Sequence, residues 1–362
     1  MQSEWGHALK ISVYGGSHEP LLGVRVCGLP KGIAIDTDAL QAFVSRRAPN
    51  GAVGTTPRTE ADFVRIKSGL VNGQTDGGAF IAEIENRNAQ SKPYNTYRDI
   101  PRPSQIDLPA RWRFGDDTDL RGGGHFSGRM TAAYCIAGGI AMQALNAQGV
   151  RIGAHLCTVG ALRDRVFDPV DPRTDLETLT GKPFPVLDDA QGKAMQQLIA
   201  IIQSDGDSIG ATVECAVTGF AHGYGTPLFD GIDSRLASLL FAVPAVRGVA
   251  FGSGFEAAAM KGSAHNDAYI MHDGTIKTET NRHGGVIGGI STGMPILFTV
   301  AIKPAASIRL PQTTLQLSTG KQTELRIEGR HDACIAVRAV PVIEAVAALA
   351  LYDLYLEETY AE

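Results

Sequence analysis

Several features are missing from this chain, and each absence closes a door. No window holds the roughly 18 unbroken apolar residues of a membrane-spanning helix, and no charged-then-apolar leader precedes Trp5. Cysteine is sparse: Cys27, Cys135, Cys157, Cys215 and Cys334 are odd in number, scattered, and never form a CxxC pair. That pattern argues against a zinc site and implies reduced thiols, so no metal is expected and the expected location is cytoplasmic. Charge of one sign is missing as well. The 33 Lys and Arg against 38 Asp and Glu leave a net charge of -5, which gives no overall attraction to nucleic acid. An anionic ligand must therefore be held by local clusters of arginine. Low-complexity tracts and Gly/Ser- or Pro-rich linkers are also absent. A single domain over residues 1–362 is the expectation, with no membrane and no nucleic-acid partner.

Glycine is abundant. The 42 glycines are about 12% of the 362 residues, against a usual ~7%. They cluster in "GGSH", "RGGGHFSG", "HGYG", "FGSGF" and "GGVIGGISTG", between patterned apolar segments. Such clusters mark places where main chain must come close to something else.

The patterned segments alternate in type. "ISVYG", "GVRVCGL" and "GGAFIAEIEN" predict strands, and "DTDALQAFVSRRA" predicts a helix capped by Asp36 or Thr37. "SGRMTAAYCIAGGIAMQALNAQG" predicts a long helix ending near Gly149. Gly138 and Gly139 inside it cost roughly 1 kcal/mol each against alanine, which close packing on a neighbour would offset. A strand is expected in "VRIGAHLCTVGAL", a helix in "DAQGKAMQQLIAIIQSDG", a strand in "IGATVECAVTGF" and a helix in "DSRLASLLFAVPAV". "MPILFTVAIKP" reads as a strand and "VPVIEAVAALALYDLYLEE" as a closing amphipathic helix. Residues 86–124 show no periodicity and read as a long functional loop. Strands and helices intermingle throughout, so the class is α/β or α+β.

Chemistry gathers in five places. "ISVYGGSHEPLLGVRV" sets His18 and Glu19 on a glycine turn between strands, either as a plain tight turn or as a backbone brought up to a ligand. In "DLRGGGHFSGRMTA" three glycines, Ser127 and Arg129 open the long helix, the composition of an anion site; neither GK[ST] nor GxGxxG is present. "TETNRHGGVIGGISTGMPILFTVAIKP" is a glycine-rich hairpin or a binding loop, with Lys303 ending the following strand. "EGRHDACIAVRAVPVIEA" places Arg330, His331 and Asp332 just before the last helix, and "SRRAPN" sets Arg46 and Arg47 at a helix end. A site rich in arginine, histidine and backbone donors suits an anionic substrate or a phosphorylated cofactor.

These motifs together resemble the chorismate synthase family, over nearly the whole chain. The family pattern GESHG corresponds to residues 15–19, and RGGG-x-x-(S/A)-x-R-x-T to residues 121–131. "GDSIG", "AVRGVAFGSGF", "GGVIGGISTG", "KPAASI" and "GRHDACIAVRAVPVIEA" follow in the family's order. The resemblance implies an α+β fold, a β-α-β sandwich with helices between antiparallel sheets, assembled as a homotetramer. It implies a lyase that converts 5-enolpyruvylshikimate 3-phosphate to chorismate, the last step of the shikimate pathway. Phosphate and a ring hydrogen leave in a 1,4-anti-elimination that needs reduced FMN without net redox, and NADPH is the candidate reductant. On that resemblance His18 is the general acid for the departing phosphate and Asp332 aids proton transfer. FMN falls to His125, Phe126, Ser127, Ala245, Gly288, Lys303, Pro304, Ala305, Ala306, Ser307 and Arg330. Arg47, Arg129 and Arg330 would hold substrate or NADP anions.

The chain also departs from the family pattern. Gly16 and Glu19 replace the motif's glutamate and closing glycine, and Val53 replaces an arginine. In "RPSQID", Gln105 stands where the family has its second catalytic histidine; glutamine hydrogen-bonds but cannot donate a proton at neutral pH. A paralogue acting on another enolpyruvyl or phosphate substrate, and a non-catalytic FMN-binding relative, therefore stay open beside the enzyme.

Overall fold

The computed structural model describes residues 2–49, 61–86, 96–327 and 331–360. Two five-stranded antiparallel sheets enclose a helical layer. The first sheet has the spatial order Gln2–Trp5, Lys10–Gly15, Leu21–Cys27, Phe80–Glu85, Arg65–Ser68. The second runs Val246–Phe251, Ile296–Ile302, Ala211–Thr218, Arg151–Val159, Leu162–Arg163. Strands of the first sheet alternate as a one-faced sheet must: Ile11, Val13, Phe80, Ala82 and Ile84 point into the core.

Between the sheets lie α1 (Thr37–Arg47), α3 (Thr131–Ala147), Ile232–Phe241 and the final helix Ala336–Tyr360. Asp36 is the cap of α1; its carboxylate accepts from the amides of Asp38 and Ala39, both at 2.9 Å. The two mid-helix glycines of α3 have the packing role expected of them. A Cβ on Gly138 would lie 2.5 Å from the backbone of Ala345 in the final helix, and one on Gly139 would lie 2.6 Å from Leu40 of α1. The glycines let three helices approach more closely than alanine would allow.

Two expectations need correction. The final helix is not amphipathic. It begins five residues before Pro341 and is buried at every position from 341 to 354, because it lies between the sheets rather than on a surface. Its Ala336–Thr359 stretch has the length and composition to cross a bilayer, mean hydropathy 1.7, yet here it is the core. Its two buried acids are paired: Glu344 takes both arms of Arg46 at 2.6 and 2.9 Å, and Asp353 accepts the amides of His7 and Leu9 and faces Arg235 at 3.4 Å. The stretch expected to be all loop, 86–124, contains α2 (Asp107–Phe114).

Candidate active site

The chemistry begins at the turn after Lys10–Gly15. Gly15 has φ +88°, and a Cβ there would fall 2.4 Å from the carbonyl oxygen of Leu21 on the paired strand, so only glycine turns the chain at this point. The turn is then pinned from three sides. Ser17 donates its amide to Gly124 O at 3.1 Å. The Asn86 amide donates to Gly16 O at 3.0 Å and Glu19 O at 2.8 Å. His125 Nδ1 meets Gly15 O at 2.8 Å; a carbonyl only accepts, so Nδ1 carries the proton and Nε2 takes the Ser3 hydroxyl at 2.9 Å.

Facing the turn is the segment Arg121–Phe126, whose three glycines all have positive φ. Gly122 is the critical one. A Cβ at Gly122 would lie 2.2 Å from Nδ1 and Cε1 of His18, so the imidazole occupies the space a side chain would need. Ser127 then caps a short turn, Gly128–Met130, by accepting from the amide of Arg129 at 3.2 Å, and α3 follows.

These elements line one wall of a cavity of about 750 Å³, within the range of small-molecule sites. Other walls come from the end of α1 (Arg47), the approach to α2 (Arg102, Ser104, Gln105), the residues around Ala245 and Arg247, and 302–307 after a second-sheet strand. The start of the final helix closes it with His331, Asp332 and Arg338. Five arginines and one lysine line it, and Asp332 is the sole carboxylate among the described lining residues. The first-sheet elements and the second-sheet elements thus supply separate parts of one cationic site.

The arginines are ordered by buried acids behind the wall. Asp62, 1% exposed, binds Arg47 at 2.7 Å and also grips Arg129. Burial alone would raise the Asp62 carboxyl, but the two guanidiniums outweigh it and hold its pKa below the usual value. Burial is also the main influence on Arg47, pushing it down to about 10, with Arg338 and Arg129 adding to the effect and Asp62 opposing it. Arg47 spends its other donors on Thr131 Oγ1 (3.0 Å) and Gly128 O (3.1 Å), fixing the start of α3. Arg129 reaches Asn86 Oδ1 at 3.0 Å, which ties the clamp on the His18 turn to the same network. Arg338 donates to Arg47 O at 3.0 Å and to Asp332 at 2.7 Å.

On the opposite side Arg102 forms a two-pronged pair with Asp107 at 2.7 and 2.8 Å and lies over the Tyr97 ring at 4.6 Å. It also reaches Ser307 Oγ at 3.4 Å, and Gln105 Nε2 donates to the same hydroxyl at 3.2 Å. Lys303 donates to Ser104 O at 3.0 Å; burial first, and the neighbouring Arg247 second, lower its pKa. Ser104 (φ +56°) and Ala245 (φ +76°) are left-handed without being glycine, and both line the cavity. Strain of this kind persists where the surrounding structure enforces it, commonly at functional sites.

The cavity therefore gathers His18, Gln105, Asp332, Arg47, Arg129, Phe126, Ser127, Ala245, Lys303, Pro304, Ala305, Ala306 and Ser307, drawn from regions nearly the full chain apart. His125 is turned to Gly15 and Ser3, and Gly288 sits at the turn of a hairpin, Val286–Ile287 with Ile290–Ser291; neither lines the cavity. Arg330 and Val53 lie outside the described residues. The motifs did not single out Arg102, Arg247, Arg338 or the buried Asp62, and they gave His331 no role. His331 brings a second imidazole into a cavity where Gln105 offers none. Its place directly before Asp332 was the available signal.

Comparison with known proteins agrees with this arrangement. The family profile described as chorismate synthase matches residues 9–356. A chorismate synthase of Lancefieldella parvula is 39% identical over 98% of this chain and 96% of its own. One from Thermococcus gammatolerans is 40% identical over 96% of each, and one from Chitinophaga pinensis 40% identical over 98% of this chain and 97% of its own. A crystal structure of chorismate synthase superimposes with a TM-score of 0.77 at 23% identity, covering 98% of this chain and 93% of the other, which shows the shared fold. A match of this length, with the motif residues of both sheets facing one cationic cavity, places the chain in the chorismate synthase family.

Proposed function

We propose that this chain is a chorismate synthase, a lyase that eliminates phosphate from 5-enolpyruvylshikimate 3-phosphate to give chorismate. The observation that carries this reading is the cavity itself: six cations and His18 around one carboxylate, with His18, Arg129, Lys303 and Asp332 at the family's motif positions. Such a wall suits a substrate bearing a phosphate and carboxylates.

Reduced FMN is the proposed cofactor, and the donor set fits it. Lys303 and Ser307 offer polar atoms, Ala305 and Ala306 leave room, and Phe126 and Val342 supply apolar surface. Phe126, Ser127, Ala245, Lys303, Pro304, Ala305, Ala306 and Ser307 would hold it, with Arg330 completing the set. When bound, the reduced flavin supplies transient electron density that eases departure of the phosphate, so no net redox occurs.

The remaining work falls to side chains. Arg47, Arg129 and Arg330 attract and orient the anionic groups, Arg129 from the same network that clamps the His18 turn. His18 gives a proton to the departing phosphate as general acid, which removes charge build-up on the leaving oxygen. Asp332, its carboxylate oriented by Arg338, assists the proton lost from the ring. Gln105 holds Ser307 by hydrogen bond and contributes no proton.

The core shared by both sheets supports one domain over 1–362. The five cysteines are free thiols, four of them buried, in keeping with a reducing, cytoplasmic setting. A homotetramer and NADPH as reductant complete the reading. Gln105 and Glu19, both departures from the family pattern, favour a paralogue with another enolpyruvyl phosphate. An anaerobic assay with reduced FMN and 5-enolpyruvylshikimate 3-phosphate, following chorismate absorbance, tests the reading: turnover supports the synthase, and silence with flavin bound points to a paralogue with another substrate or to a non-catalytic FMN-binding relative.

A further inference from the structure

Most of the positive charge around the cavity is already answered within the chain. Arg47 and Arg129 share Asp62, Arg102 grips Asp107, and Arg338 holds Asp332. Two cations differ. Lys303 meets only the Ser104 carbonyl, and Arg247 makes no ion pair or hydrogen bond among the described residues.

The backbone departs from regular pairing to place Arg247 beside that lysine. Along the strand Val246–Phe251, Val246 faces Ile302 and Gly248 faces Ala301, so Arg247 is the extra residue of a β-bulge. A bulge takes a side chain out of the strand's alternation and re-aims it, often beside a site. Two residues earlier, Ala245 is held left-handed at φ +76°, with its carbonyl accepting the amide of Lys303 at 3.0 Å. The strained residue and the bulge thus set Arg247 on the chain beside the segment that carries Lys303. Their proximity is felt electrostatically, since burial and then the Arg247 charge both depress Lys303. Two unanswered like charges on a cavity wall repel one another, and a doubly charged anion between them turns that repulsion into attraction.

We propose that Arg247, carried by the bulge beside Lys303, is a binding residue for a phosphate monoester dianion. The inference rests on the functional reading above, in which both the flavin and the enolpyruvyl substrate carry such a group. Arg247 is exposed, so replacing it leaves the core untouched.

The test compares ligands that differ only by the phosphate. Dissociation constants are measured for FMN against riboflavin, and for 5-enolpyruvylshikimate 3-phosphate against its dephosphorylated form, in wild type, Arg247→Ala and Arg247→Lys. Arg247→Ala is expected to weaken the phosphorylated member of one pair by about 10- to 100-fold, the range for an ionic hydrogen bond. The unphosphorylated member should bind unchanged, and Arg247→Lys should recover most of the loss. A loss confined to FMN assigns the flavin phosphate, and one confined to the other pair assigns the substrate phosphate. Equal behaviour of both members in both pairs would overturn the inference. If wild type still forms chorismate in that case, the functional reading survives it; a wild type that binds neither pair overturns both.

Discussion

Gly122 and His18 fit together as an imidazole and the empty space that admits it: a Cβ on Gly122 would fall 2.2 Å from the His18 ring. The neighbouring turn cannot yield, because Ser17, Gly16 and Glu19 are each hydrogen-bonded to Gly124 or Asn86. Gly122→Ala should therefore displace His18 and cost chorismate formation about 10²- to 10⁴-fold, the usual loss of one acid–base group. Steady-state rates beside a thermal melt check this. A variant as active as wild type would show that His18 needs no such fit.

Asp62 holds two buried arginines at once, Arg47 at 2.7 Å and Arg129. Asp62→Asn leaves those cations without their anion and should cost about 3–5 kcal/mol in denaturant unfolding. The pH dependence follows from the lowered carboxyl. Its contribution is complete above the unfolded value of about 4 and is lost as pH falls through the lower folded value. Wild type should lose stability across that acid range more steeply than Asp62→Asn, and parallel curves would count against the network.

A second buried cluster predicts the opposite sign. His155, fully buried, places Nδ1 3.0 Å from Asp164 and Nε2 2.9 Å from Glu214. Burial lowers its pKa, but the two carboxylates outweigh burial and raise it overall. The imidazolium's contribution is complete below about pH 6.5, its unfolded value, and is lost as pH rises through the higher folded value. His155→Gln should be less stable than wild type at pH 6, with the gap closing toward alkaline pH. Equal gaps across the range would mean the ring is neutral in the fold.

Gln105 spans to Ser307 at 3.2 Å where a histidine could both bond and donate a proton. Gln105→His should raise the rate of chorismate formation, measured as kcat under anaerobic conditions. A fall would mean that the Gln105–Ser307 contact has rebuilt that side of the site.

The sequence carried some of this plainly. Asp36 as a cap, the strand alternation of residues 80–85 and the need for close packing at Gly138 and Gly139 are local facts, fixed by spacing and residue type. The motif residues His18, Arg129, Lys303 and Asp332 were legible as well, and the fold brings them to one cavity. What was hidden depends on non-local contact. The last helix carries the acidic end "YLEE" and looks one-sided, yet the second sheet and the helices α1, α3 and Ile232–Phe241 pack around it and bury positions 341–354. Asp62 belongs to no motif and acquires its role only when α1 and the start of α3 meet over it. The bulge at Arg247 is a matter of register with a strand some fifty positions away, which no local pattern records. In α2, "DLPARWRF" is too short and too interrupted by Pro109 to show a helical period.

The central claim is that the pinned turn delivers His18 to a departing phosphate. The most direct test measures chorismate formation anaerobically, with reduced FMN and 5-enolpyruvylshikimate 3-phosphate, in wild type and His18→Ala, with FMN affinity measured alongside. Wild type should turn over, and His18→Ala should lose the activity while binding FMN nearly as before. A silent wild type, or a His18→Ala variant with full activity, would contradict the account.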